Sequence, residues 1–367
     1  MEKLNIGIVG VGGRPAAFLR AIEISDKARL AAVCDLNRDA AEVAVKDIDN
    51  VEIYTDYEEM LEKAKLDAVV IGTPIPLHVQ QSIAALKRNI HVFCEVTAAK
   101  NLAEARQLVE ACRSSRAQYM MGENSNYHHF NMIVAEMVKN GLFGNVFYAE
   151  ADYIHDCRDL WVKTPWRRKT KDSKGVTYGT HSLGPVLTWF RDDRVVSVCC
   201  AGSGRHNFDL DGSPAEWEDH WIMLCKTAKN RLIKISTNFS SPHPFTHFYY
   251  LQGTNAAFRA ERAGGNFLNA RICIPGISKE EKWDELSRYE DQYMPEIWKK
   301  YGEKARGGGH GGSDTIIMLD FIDAIYDGRP VPIDIHASLD MTLPGIYSVI
   351  SAQQGGVWVE VDDSRKW

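Results

Sequence analysis

No Cys-x-x-Cys pair, no His-x-x-x-His pair on a helix-patterned stretch and no low-complexity tract or repeat occurs in this sequence, apart from the glycines at 307–312. The first two absences, with no carboxylates at ligand spacing, argue against a structural or catalytic metal centre. No segment approaches the ~20 apolar residues of a membrane span. The chain also lacks a basic stripe. Its net charge is −6, and Arg167, Arg168, Lys169 and Lys171 form the one basic cluster. Nucleic-acid and membrane-surface partners are therefore excluded. The 8 cysteines are scattered, Cys34, Cys94 and Cys225 on strands that read as buried, with Cys199 and Cys200 on opposite sides of another. Together with an N-terminus that enters a strand almost at once, this fits a reduced, cytoplasmic protein with no leader. A length of 367 residues, 45% hydrophobic and 25% charged, allows two domains with cores of their own.

What is present begins at the first strand. Leu4–Val9 is apolar and breaks into Gly10, Gly12 and Gly13 ahead of a helix-patterned stretch. Strand, glycine turn and helix in this order cradle a pyrophosphate: glycine lets backbone N–H groups approach, and the helix N-terminus carries partial positive charge. Pro15 stands where the third glycine of G-x-G-x-x-G belongs. The next strand ends at Asp35, about 20 residues on, where a carboxylate accepts the ribose 2′-OH of NAD and repels the 2′-phosphate of NADP. Arg38 beside it softens that preference.

Strand and helix patterns alternate from residue 4 to about 122. Leu4–Val9, Leu30–Cys34, Ala68–Ile71, His91–Cys94 and Gln118–Met121 read as buried strands. Ala16–Ile24, Asp39–Lys46, Tyr57–Lys63, Pro76–Arg88 and Ala103–Ser114 read as helices. This predicts a doubly wound parallel sheet over residues 1–124, with Thr73, Glu95 and Asn124 just past strand ends at the nicotinamide side. After a helix near Asn131–Asn140 the pattern becomes strands: Val146–Tyr153, Val195–Gly202, Trp217–Lys226, Leu232–Phe239, His247–Gln252 and Ala257–Glu261. The expectation for 125–367 is an α+β domain on an open, mainly antiparallel sheet, irregular over 263–312. A helix at Thr315–Tyr326 packs back near the first domain. An open sheet with apolar strands such as Val195–Cys200 predicts a homo-oligomer.

This organisation, with Thr73-Pro74 and a Glu after the fifth strand, resembles the glucose–fructose oxidoreductase/inositol dehydrogenase (Gfo/Idh/MocA) family over nearly the whole chain. That family's Glu-Lys-Pro stands here as Glu95-Val96-Thr97, and its Asp-x-Gly-x-His as Thr177-Tyr178-Gly179-Thr180-His181. The Lys and the Asp are replaced, and the His is kept. Six islands in order are similar to the family's NAD-dependent glycosidase branch, with α-N-acetylgalactosaminidase as its reference activity: 123–127, 141–144, 153–156, 178–185, 251–255 and 308–312. The resemblance implies tightly held NAD that oxidises a sugar C3 hydroxyl, after which the acidified C2 proton leaves, elimination follows and the hydride returns. Related glycoside 3-oxidising enzymes stop at the 3-keto sugar. It also implies a dimer or tetramer.

Residue roles follow from this. Gly10, Gly12, Gly13, Arg14, Asp35, Asn37, Arg38, Thr73, His78, Glu95 and Asn124 make the cofactor side. His181, which matches the family histidine, is the candidate base for the hydroxyl proton. Tyr178 shares that hydroxyl or supplies a second acid/base. Tyr127 matches the tyrosine that the resemblance makes the base for the C2 proton. Glu95 serves the nicotinamide ribose or the substrate; His155 and His310 bind sugar hydroxyls, and Trp166 stacks on a sugar or aglycone ring. The function expected is NAD-dependent oxidation of a sugar or glycoside at C3. A redox-neutral glycosidase and a non-catalytic NAD sensor are the alternatives.

Overall fold

The first strand, β1 (Leu4–Val9), runs through the middle of a six-stranded sheet in the computed structural model of the chain. The structure describes residues 2–13, 17–164, 167, 174–263, 266–267, 269–278 and 282–367. Arg14, Trp166, Arg168, Lys169 and Lys171, all singled out in the sequence, lie outside the described residues. The other strands are β2 (Ala28–Cys34), β3 (Glu52–Tyr54), β4 (Ala68–Ile71), β5 (His91–Cys94) and β6 (Tyr119–Met121), in the order β3-β2-β1-β4-β5-β6 with every pair parallel. Val69, Val70, Val92 and Phe93 are fully buried, as strands covered on both faces require. Asn37, Asp56 and Asn101 cap the helices Arg38–Val45, Tyr57–Lys63 and Leu102–Ser114, each accepting from the amide three residues on at 3.2, 2.8 and 2.9 Å.

Two units divide the chain. The first comprises Met1–His128, Glu296–Leu339 and Ser364–Trp367; the second, His129–Pro295 and Asp340–Asp363. Residues 296–339 thus group with the Rossmann sheet, although they lie within the 125–367 segment, of which only the helix at Thr315–Tyr326 was expected to pack back near the first domain. The cause is the helix Ser313–Tyr326. It is apolar nearly all round, with Ile316, Ile317, Leu319 and Phe321 buried, and Phe321 meets Phe93 edge-on at 5.4 Å.

The second unit is built on β7 (Val146–Ile154). Its sheet adds β8 (Val195–Gly202), β9 (Trp221–Thr227), β10 (Leu232–Asn238), β11 (Thr246–Gly253), β12 (Ala257–Ala263), β13 (Asn266–Phe267), β14 (Arg271–Cys273), β15 (Asp284–Glu285) and β16 (Val359–Glu360). The order is β15-β14-β12-β11-β7-β10-β9-β8-β16, with β13 on β12; β7 and β10 run parallel and the other pairs antiparallel. The helix Thr180–Phe190 packs on β7 and, with Phe130, closes a core of Trp189, Tyr249 and Phe258.

Several expectations change. The strand expected from Trp217 begins at Trp221, because Trp217 turns into a separate cluster with Trp161, ring centroids 4.5 Å apart. The stretch 263–312 holds the helix Glu296–Ala305, which buries Trp298, Tyr301 and Ala305 at helical spacing. The helices Thr180–Phe190 and Ile335–Gln353 each contain a proline, which hides them from a pattern reading. Val195, Val198 and Cys200, offered above as an exposed apolar face, are buried. The amide of Cys200 donates to Ser351 of the helix Ile335–Gln353, and β16 pairs along β8. Exposed apolar side chains of this sheet, among the described residues, include Phe147, Ile222 and Leu232.

Candidate functional site

In the first unit, the residues that follow the parallel strands are aligned by backbone bonds across the sheet. Gly10 donates to the last carbonyl of β2, Gly72 to that of β1, Glu95 to that of β4 and Gly122 to that of β5, at 2.7–3.0 Å. They mark the carboxyl edge of a doubly wound sheet, where β1 and β4 diverge to opposite sides. Gly10 has φ +88°, and a Cβ there would stand 2.9 Å from the Thr73 nitrogen. Only glycine fits that turn. A Cβ on Gly12 would meet Asp35 Oδ2 at 3.3 Å, whereas one on Gly13 would meet nothing within 4 Å among the described residues. Asp35 accepts from the Gly12 and Asn37 amides, each at 2.9 Å, and so turns its carboxylate toward the glycine loop. These features fit a dinucleotide: glycines open the backbone to a pyrophosphate, and a half-buried carboxylate stands beside them where it can accept from a ribose hydroxyl.

Other cofactor candidates are placed more mixedly. The Asn37 side chain is the helix cap described above, and Arg38 pairs with Glu42 at 3.0 Å on the surface. His78 is 2% exposed. Its Nε2 is 2.8 Å from the Thr73 carbonyl and its Nδ1 3.4 Å from the Thr97 carbonyl. A neutral ring has one N–H, which goes to Thr73. Burial lowers the pKa of His78 and keeps the ring neutral. It is a pin that holds the Thr73 loop. Glu95 is buried at the end of β5.

Tyr127 is 4% exposed and donates its hydroxyl to Asp320 Oδ2 at 2.8 Å. Burial, reinforced by the Asp320 carboxylate, pushes the phenol well above its ordinary pKa. A tyrosine so placed holds its proton, which opposes the role of C2 base that the resemblance implies. Asn124 donates to Asp314 Oδ1 at 2.8 Å, and His310 Nδ1 lies 2.9 Å from the other oxygen of Asp314. Sequence reasoning missed both Asp314 and Asp320.

In the second unit, His181 sits in the first turn of the helix Thr180–Phe190, after a tight turn at Gly179 where a Cβ would stand 2.9 Å from Val176 Cγ1. Pro185 has no N–H to give the His181 carbonyl four residues back. The hydroxyl of buried Tyr249 fills that vacancy, donating at 2.7 Å. The His181 ring stacks on Tyr153 at 5.4 Å and meets Tyr178 edge-on at 5.1 Å. Tyr153 also contacts His247 at 4.7 Å, its partner across β7 and β11, and its hydroxyl lies 3.5 Å from His155 Nδ1. His155, His181, Tyr178 and Tyr153 are half-buried in one aromatic cluster with Phe239 and Phe245. Tyr153, His247 and Tyr249 were missed in the sequence; their cross-strand register is the signal that unites them. Asp156, two residues from β7, is gripped by Arg158 through both oxygens, at 2.9 and 2.7 Å. Among the described residues, no group of three or more His, Cys, Asp or Glu is placed to hold a metal ion.

A glycine turn and a carboxylate at the carboxyl edge of this sheet define a dinucleotide-binding Rossmann protein, and residues 4–123 match the family described as "Oxidoreductase family, NAD-binding Rossmann fold", the Gfo/Idh/MocA class. Residues 127–366 match "Glycosyl hydrolase 109, C-terminal domain", and the chain belongs to glycosyl hydrolase family 109. It is 30% identical to a glycosyl hydrolase family 109 protein of Saccharopolyspora erythraea, over 99% of this chain and 83% of that one. It is 28% identical to a protein of Shewanella oneidensis named alpha-N-acetylgalactosaminidase, over 95% and 82%. Among solved structures, levoglucosan dehydrogenase in complex with NADH and levoglucosan superposes with a TM-score of 0.82 at 18% identity, over 98% of this chain and 100% of that one. The scyllo-inositol dehydrogenase of Lactobacillus casei with NAD(H) and scyllo-inositol gives 0.74 at 16%, over 98% and 99%. These two share the fold.

Proposed function

We propose that this enzyme oxidises the C3 hydroxyl of a sugar or glycoside to a 3-keto product, with NAD as the redox partner. The observation that carries the reading is the His181 cluster: a half-buried imidazole on an aromatic shelf, its backbone clamped by Tyr249, in a chain whose other unit binds NAD. Bound NAD supplies reversible hydride acceptance. His181 takes the hydroxyl proton, Tyr178 shares the same hydroxyl, and His155 and the Tyr153 face hold the sugar. Asp35 confers preference for NAD over NADP, with Arg38 tempering it. Glu95 and Asn124 complete the nicotinamide side, and outside the described residues Arg14 serves the cofactor and Trp166 the sugar.

A second reading, a redox-neutral glycosidase that continues to elimination, is favoured by the match of residues 127–366 to the glycosyl hydrolase 109 C-terminal domain. Against it stands Tyr127, whose proton is held by Asp320. Incubating the purified protein with a panel of glycosides separates the two. A 3-keto sugar with matching NADH supports the first, and free aglycone without net NADH the second. Absence of turnover on a broad panel rejects both in favour of an NAD sensor.

We also place the protein in the cytoplasm as a homo-oligomer. All eight cysteines are thiols, five of them buried, which fits a reducing compartment. No helix among the described residues is long and apolar enough to cross a membrane. The face of the second sheet that carries Ile222, Leu232 and the Tyr148–Tyr250 pair suits a second copy of the chain.

A further inference from the structure

We infer that the hairpin 203–220, with Phe208 and Leu210 at its tip, is the aglycone side of the sugar site and selects glycosides whose aglycone is an apolar ring, which rests on the proposed oxidation of a sugar or glycoside. The hairpin leaves the second sheet in the row that carries the aromatic shelf. Tyr153 of β7 pairs with Thr237 of β10, Thr237 with Trp221 of β9, and Trp221 with Gly202, the last residue of β8. The segment therefore rises from the same edge of the sheet as His155, three strand spacings or about 14 Å along the row from Tyr153.

The hairpin is pinned along its length. Asp219 accepts from the His206 and Asn207 amides at 2.6 and 3.3 Å, and Glu218 from that of Gly204 at 2.8 Å. At the tip, Asp209 donates its amide to the Ser213 carbonyl and accepts from the Gly212 amide. Asp209 is buried, while its neighbours Phe208 and Leu210 are 56% and 57% exposed. A hairpin that served stability alone would turn the apolar side chains in and the aspartate out. This one does the reverse. Two contacts tie it to the shelf. Arg158 Nη1 donates to the Phe208 carbonyl at 3.0 Å, while its other nitrogens hold Asp156, the residue after His155. Trp217 meets Trp161 at 4.5 Å in a cluster against which Phe239 packs, and Phe239 lies 5.8 Å from Tyr153. Aromatic side chains thus run from the shelf to the base of the hairpin. Two exposed side chains fall far short of the ~800 Å² per partner that a stable protein interface buries, but they match a single ring. A phenyl aglycone gains stacking and apolar burial there, and a methyl group gains little of either.

The test is calorimetric binding, to the NAD-loaded protein, of phenyl and methyl glycosides of glucose, galactose and N-acetylgalactosamine in both anomers, with 3-keto product measured alongside. In the wild type at least one sugar should bind roughly 10-fold more tightly as its phenyl than as its methyl glycoside, and the double variant Phe208→Ala, Leu210→Ala should erase that ratio. Both side chains are exposed, so the double variant should keep its fold, and each single variant should give an intermediate ratio. No phenyl preference for any sugar, or a preference unchanged in the double variant, overturns the inference. So does a smaller assembly in light scattering with the ratio unchanged, which would make the hairpin a contact with a second copy of the chain. A phenyl preference that the double variant loses, without 3-keto product from any glycoside, counts against the proposed oxidation alone. Formation of 3-keto product with no phenyl preference counts against this inference alone.

Discussion

At the scale of single residues, the cofactor side is legible because its chemistry is backbone chemistry. Gly10, Gly12 and Asp35 are identified by their place after strands, and the structure puts Gly12 and Asp35 in direct contact. Asp35→Ala should narrow the gap between NAD and NADP in titrations of both; a wild type that prefers NADP would contradict the reading. Gly12→Val should cut retained NAD while the second unit keeps its fold, because even a Cβ is already at 3.3 Å from Asp35. His78 shows what a sequence cannot display: a histidine in a helix reads the same whether it faces a ligand or a carbonyl. Its folded pKa lies below the unfolded value, so its contribution to stability is present above about pH 6.5 and is lost as pH falls through the folded value. Urea midpoints measured from pH 8 to pH 5 should drop toward acid, and His78→Gln should flatten that slope.

At the scale of elements, β1, β4, β5 and β8 match their expected bounds residue for residue, since apolar runs ended by glycine or a polar residue mark both ends. The helix that carries His181 was not legible, because Pro185 reads as a breaker. The structure reverses that meaning. Pro185 frees the His181 carbonyl, and Tyr249, 68 residues away in sequence, takes it up. Tyr249→Phe removes the donor from that part-buried carbonyl. It should cost about 1–3 kcal/mol in chemical denaturation and lower the rate of NAD reduction more than it raises the sugar KM. An unchanged rate would remove the clamp from the account.

At the scale of the whole molecule, the two-part architecture follows from the switch of periodicity after residue 124, and the return of the helix at Thr315–Tyr326 was expected, but that Glu296–Leu339 groups as a whole with the first unit was not. Only tertiary packing reveals which sheet an apolar helix chooses. Light scattering at micromolar concentration should give a dimer or tetramer, and a monomer would withdraw the sheet-face interface. The central claim, hydride removal from C3 with His181 as base, is tested most directly by single-turnover absorbance of the nicotinamide with glycosides deuterated at C2, C3 or C4. The account predicts a primary isotope effect for the C3 label alone, and a loss of about 10²–10⁴-fold in that rate for His181→Ala. An isotope effect at another carbon, or a His181→Ala variant that reduces NAD at the wild-type rate, would contradict it.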